Sequence, residues 1–122
     1  MIKKILVVED ERDILLALST KLESEGYTVI QSTSYPDAYA KFTKENPDLV
    51  LLDIIIIGKS GIDFLKEIRE KLQSHVPVIV SSNVSEQSYI DSATKYGISG
   101  YIIKSSISLE DIVNKIKELP SS

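Results

Sequence analysis

The chain has 122 residues, 43% of them hydrophobic, with a formal charge of −4 and no cysteine. That length suits one domain around one core, and the missing thiols exclude a disulfide scaffold, a thiolate metal site and a cysteine nucleophile. The acidic balance, with a pI near 5.0, argues against broad electrostatic attraction to nucleic acid and points to a protein partner or a metal ion.

The N-terminal MIKKILVVEDE begins basic, but acids interrupt its apolar run too soon for a signal peptide or a membrane span. A cytoplasmic location away from the membrane is therefore expected. KKILVVE reads as the first strand, followed by a helix carrying Ile14, Leu15, Leu18 and Leu22 that stops at Gly26. YTVIQS reads as the second strand. The next helix opens with Ser34 as N-cap, Pro36 in its first turn and Asp37 three residues after the cap, then Ala38 and Phe42 at i,i+4 spacing. DLVLLD is the third strand, and Leu65, Ile68 and Leu72 mark the helix after it.

PVIVSS is the fourth strand. The fourth helix, from about Ser85 to Tyr96, has Ile90 and Ala93 as its main inward residues, so it should be the most weakly held and the first to move. GYIIK makes the fifth strand, and Leu109, Ile112, Val113 and Ile116 mark the last helix. The strand runs are continuous rather than alternating in hydrophobicity, as in strands covered on both faces. Five strand-helix units predict a doubly wound α/β domain with a parallel sheet and right-handed crossovers. Residues 1–122 read as one domain without repeats, and Pro120, Ser121 and Ser122 read as a tail or the start of a linker.

Open parallel sheets bind ligands beyond the carboxyl ends of their strands. Those ends carry Glu9 and Asp10, Asp53, Ser81 and Ser82, and Lys104. Asp53 interrupts the aliphatic run LVLLDIIIIG, where an unpaired buried charge would cost several kcal/mol; a position at the sheet rim removes that difficulty. Glu9 and Asp10 alone could simply favour the start of the first helix. With Asp53 and Lys104 beside them, they form a site. Close carboxylates repel one another and call for a cation, and an all-oxygen donor set suits Mg²⁺.

Other chemistries lack support. GKS at 58–60 resembles the end of a phosphate-binding loop, but Asp53 stands where that loop needs its first glycine. Neither GxGxxG nor GxSxG occurs, and His75 lies in a polar stretch that reads as a solvated loop. Tyr101, within a strand, would by itself be a core aromatic.

VVEDE after the first strand, LLDIIII at the third, PVIVSSN at the fourth and GISGYIIK at the fifth together resemble a response regulator receiver domain over nearly the whole chain. The resemblance implies a flavodoxin-like sheet of order 2-1-3-4-5 and a signalling rather than an enzymatic role. Asp53 then takes the phosphoacceptor position, receiving a phosphoryl group from a sensor histidine kinase or phosphotransfer protein. Asp10 matches the direct Mg²⁺ ligand, Glu9 the acid that reaches the ion through water, and Ile55 the backbone carbonyl ligand, with Asp53 also in the set. Lys104 matches the lysine that pairs with the phosphoryl group, Ser82 its hydroxyl partner and Tyr101 the switch aromatic. The implied output is a changed protein-binding face on the fourth helix, fifth strand and fifth helix, without direct nucleic-acid binding by this domain.

Four residues depart from the family pattern. Glu9 replaces the more common aspartate, and Ile57 stands where many members have proline. Asn83 replaces a small residue after the hydroxyl, which implies narrower access to Asp53. Ser105 replaces a proline that follows the lysine through a cis bond. A cis bond before a non-proline residue costs about 3–4 kcal/mol, so a trans bond and a shifted loop are expected. The proline-free GxxGYxxK resembles receivers of certain helix-turn-helix transcription regulators. Two rivals remain. One is a pseudo-receiver acting as a phosphorylation-independent interaction domain. The other is an aspartyl-phosphate enzyme of the haloacid dehalogenase type, which Ile55 disfavours by breaking that group's DxD pattern.

Overall fold

The computed structural model describes residues 2–54, 60–83 and 86–119. Strands β1 (Lys4–Val8), β2 (Thr28–Ser32), β3 (Leu49–Leu52), β4 (Val78–Ser82) and β5 (Gly100–Ile103) form one parallel sheet in the order β2-β1-β3-β4-β5. Between and after them run α1 (Arg12–Ser24), α2 (Tyr35–Glu45), α3 (Gly61–Lys66), α4 (Gln87–Lys95) and α5 (Leu109–Lys117). The expected sheet order and helix number are those observed.

The unbroken apolar runs resolve into two faces. Leu6, Val8, Val50, Leu52, Val78 and Val80 pack with Ala38 and Phe42 of α2 and Phe64 and Leu65 of α3. Their alternate neighbours Ile5, Val7, Leu49, Leu51 and Ile79 pack with Leu15, Leu18 and Leu22 of α1 and Ile112, Val113 and Ile116 of α5. Side chains alternate across a strand, so a sheet covered on both sides needs apolar residues at every position. Phe64 anchors the first face by edge-on contacts to Tyr35 and Phe42 at ring-centroid distances of 5.8 and 6.2 Å.

The two helix ends singled out in the sequence behave as expected. Ser34 Oγ accepts from the Asp37 N–H at 3.4 Å, and Gly26 closes α1 with φ of +95°, where a glycine escapes the Cβ penalty. The third helix is shorter than its apolar spacing implies: α3 ends at Lys66 and a π-helical turn, Glu67–Lys71, carries the chain onward, with Ile68 still buried. Leu109, expected to face inward, is 36% exposed at the first position of α5. Ile55, Ile57, Ser85 and the tail from Pro120 lie outside the described residues. No cis peptide bond occurs among the described residues, so Ser105 follows Lys104 in trans, within a 3₁₀ turn, Lys104–Ser106.

Helix α4 is held unequally. Ala93 is buried and Ile90 half-buried, and the Glu86 N-cap makes no side-chain cap bond. Beyond its other end, Arg69 Nε donates to Tyr96 O at 3.0 Å and Nη2 to Gly97 O at 2.8 Å, while Nη1 donates to Ser74 O at 3.1 Å. Burial lowers the Arg69 pKa, so these carbonyls offset the cost of desolvating the charge. Arg69→Ala should therefore destabilise the protein by about 2 kcal/mol, measured by urea unfolding. Amide exchange should rise first around residues 93–97.

Candidate functional site

The site follows from sheet register. β1 and β3 are paired through Val8 and Leu52, and the chain beyond stays tied down: Asp53 N–H donates to Val8 O at 3.0 Å and Glu9 N–H to Ser32 O at 2.9 Å. Glu9 and Asp53 therefore leave adjacent strands at the same level. β4 and β5, next across the sheet, end with Ser82 beside Ile103, and Lys104 follows. The strand order reverses between β1 and β3, where a crevice opens at the carboxyl ends.

Glu9, Asp10 and Asp53 each offer a carboxylate oxygen, and these atoms lie within 4.8 Å of one another. Lys104 Nζ donates to Asp53 Oδ2 at 2.8 Å and also to Glu9 Oε2. Asp53 is only 6% exposed, so it is more buried than a rim position suggests. The Lys104 ammonium accompanies it there, and a paired buried charge is tolerated where a solitary one is not. Glu9 Oε1 accepts the Glu11 N–H at 3.2 Å, which ties the acid to the start of α1.

Burial pushes the Glu9 carboxyl up to about 7, against the lowering bond from Lys104 and with the help of the Asp53 charge. Burial by itself would lower the Lys104 pKa, but bonds to Asp53 and Glu9 and their charges outweigh it and leave it raised. Three clustered carboxyl groups, two of them bonded to one ammonium, make a set of hard oxygen donors. That donor set fits Mg²⁺, which uses few protein carboxylates and keeps waters.

The other expected residues surround this cluster. Ser82 is buried, Tyr101 is half-buried against the α2/α3 face, and burial followed by the Asp53 charge raises the Tyr101 pKa. Asn83 is exposed, its Oδ1 accepting the Ser105 N–H at 3.1 Å. His75 is exposed, away from this chemistry. Ser81 turns to the α1/α5 side, lining a groove with Leu18 and Ile112, and its Oγ has no hydrogen-bond partner among the described residues.

Two features beside Asp53 escaped sequence reasoning. One is the Lys104 bridge to Glu9, between residues 95 positions apart. The other is Gly61, which opens α3 directly against Asp53: a Cβ there would lie 2.1 Å from the Asp53 carbonyl oxygen. The nearby signal was legible, since Ser60 and Asp63 have the spacing of a capping box and form one.

The sequence profile of the response regulator receiver domain matches residues 5–117. The chain belongs to the response regulator receiver family. It is 34% identical over 116 residues to the transcriptional regulatory protein ResD of Bacillus subtilis, covering 95% of this chain and 47% of that protein. Against the phosphate regulon transcriptional regulatory protein PhoB of Escherichia coli it is 33% identical over 118 residues, covering 96% and 51%. This receiver thus spans about half the length of those relatives. Its fold matches that of a CheY-like receiver domain protein from Methanospirillum hungatei with a TM-score of 0.89 at 29% identity, covering 97% of this chain and 93% of that one. Among the described residues of this receiver, no helix is long and apolar enough to cross a membrane.

Proposed function

We propose that residues 1–122 form a phosphoacceptor receiver of a two-component or phosphorelay system, with Asp53 as the residue modified. The observation that carries this reading is Asp53 itself. It is a carboxylate held at the end of β3, joined to Lys104 at 2.8 Å and clustered with Glu9 and Asp10.

Asp53 needs no general base if it is ionised when the donor arrives. One of its oxygens bonds to phosphorus as the phosphorus–nitrogen bond of a phosphohistidine breaks; the electron pair stays on that nitrogen, and a ring protonated at its other nitrogen leaves as the neutral histidine side chain of the donor, giving an acyl phosphate on Asp53. Phosphorylation brings up to about two negative charges. The Lys104 ammonium, already bonded to Asp53, is placed to follow that charge, and the Ser82 hydroxyl offers a further donor. Glu9, Asp10 and Asp53 would hold Mg²⁺, joined by the Ile55 carbonyl that the family pattern assigns. When bound, that ion supplies neutralising charge for the phosphoryl oxygens.

A cytoplasmic sensor kinase or phosphotransfer protein would be the donor. The effector would be a protein reading α4, β5 and α5. Two features support that face as the output: Tyr101 feels the Asp53 charge, and α4 lacks a side-chain N-cap.

Incubation with Mg²⁺ and acetyl phosphate should add one phosphoryl group by intact mass. The addition should disappear with chelator and in Asp53→Asn. A wild type that stays unmodified and also fails to bind beryllofluoride would identify a pseudo-receiver. Sustained phosphate release at many turnovers per second would identify an enzyme.

A further inference from the structure

Asn83 and Ser105, two residues that depart from the family pattern, are bonded to each other. Asn83 directly follows Ser82, and Ser105 directly follows Lys104. The β4–β5 ladder ends at Ser82 and Ile103, so the Asn83 side chain carries a link one step past the last paired residues. The turn it reaches is otherwise tied through the Lys104 ammonium, bonded to Asp53 and Glu9, rather than through the backbone of Ser105. Lys104–Ser106 has no side-chain cap bond, and Ser105 and Ser106 are exposed.

The donor is an amide in the first part of a helical turn, which finds no partner within that turn. Proline at 105 would have no N–H to give. The acceptor on Asn83 is therefore usable because residue 105 is not proline, and the two departures make structural sense together.

We propose that Asn83 is a positioning residue for Lys104. By holding the Ser105 N–H, its side chain fixes the turn from which Lys104 projects, and so sets where the ammonium meets Asp53 and Glu9. Errors of about 1 Å in a positioned group cost roughly a hundredfold in demanding cases; one exposed hydrogen bond should account for much less. The functional consequence rests on the phosphoacceptor reading, whereas the positioning does not. It also opposes in sign the role expected from sequence. If Asn83 mainly narrowed access, shortening it would speed phosphorylation; if it positions Lys104, shortening it slows the reaction.

The test combines two readouts on Asn83→Ala, Ser105→Pro and the double variant. The first is the Lys104 side-chain ¹⁵N resonance in protein without phosphodonor. Asn83→Ala should move it toward that of a free lysine. The second is the rate of phosphorylation by acetyl phosphate at saturating Mg²⁺, expected to fall three- to tenfold in Asn83→Ala. Ser105→Pro removes the donor and also restricts Lys104, so the comparison is made as a double-mutant cycle. The double variant should be no slower than the slower single one.

An unmoved resonance, a faster Asn83→Ala protein, or effects that multiply in the double variant would each overturn the proposal. If wild type takes no phosphoryl group while the resonance still moves in Asn83→Ala, the phosphoacceptor reading falls and the positioning role stands.

Discussion

Gly61→Ala is expected to cost about 3 kcal/mol of stability or more, lowering Tm by roughly 10 °C. The new Cβ would stand 2.1 Å from the Asp53 carbonyl oxygen, 2.9 Å from Ile54 Cα and 3.0 Å from the Asp53 carbonyl carbon. All three are backbone atoms, so no side chain can swing aside. Either α3 retreats, loosening Phe64 and Leu65 from the core, or the chain after β3 moves and carries Asp53 with it. On the proposed phosphoacceptor reading, phosphorylation should then slow at least tenfold, because the backbone of Asp53 is displaced. Gly100→Ala is the control. Its Cβ would meet Lys115 Cε at 2.6 Å, the far part of a flexible side chain, and the cost should stay below about 1 kcal/mol. Thermal unfolding of both variants checks the contrast; equal losses would show that the close approach to Asp53 is unimportant.

The second large effect is a stability that falls as pH rises in the absence of divalent cation. Glu9 has an ordinary pKa of 4.5 and is pushed up to about 7 in the fold. Between those values the folded protein keeps a proton that the unfolded chain has lost, so raising the pH favours unfolding. The stabilisation is fully present below about 4.5 and is lost as pH passes through about 7. Its upper bound is on the order of 3 kcal/mol.

The carboxyls held below their usual range, Glu25, Asp37, Asp48 and Asp111, act in the opposite direction but at lower pH, where they become protonated. If Glu9 helps to hold Mg²⁺ as proposed, protonating it should weaken binding, so the apparent affinity should climb up to about pH 7 and then level. Urea unfolding across this range, with chelator and with millimolar Mg²⁺, should show the slope in the first series and its suppression in the second. Glu9→Gln should flatten the first series. A wild-type slope of opposite sign would show that Glu9 is ionised throughout.

How far the chain can be read without its structure is clearest at the strands. LVLL before Asp53 is apolar at every position, which already required a sheet covered on both sides; the structure divides it into Val50 and Leu52 on one face and Leu49 and Leu51 on the other. Ser34 and Gly26 were legible for the same reason, because a cap acts on amides within one turn. Leu109 was misleading because helical spacing marks a face without showing where its cover ends. The Arg69 contacts left no local trace: an arginine on a helix reads as solvated until Tyr96 and Gly97, 27 and 28 residues away, are brought to it.

Asp53 marks the boundary between the two kinds of information. The alternating strands and helices, the family, and the acids, hydroxyl and ammonium at the strand ends are legible in the residues alone, because those features depend on residue type and short-range spacing. Tertiary structure decided that Asp53 is buried rather than merely at a rim, that Lys104 joins it to Glu9, that Gly61 presses on its backbone, and that Asn83 holds Ser105. Those contacts span 8 to 95 residues. They exist because sheet order and register bring distant strand ends together, and neither distance nor burial is encoded in any one stretch of the chain.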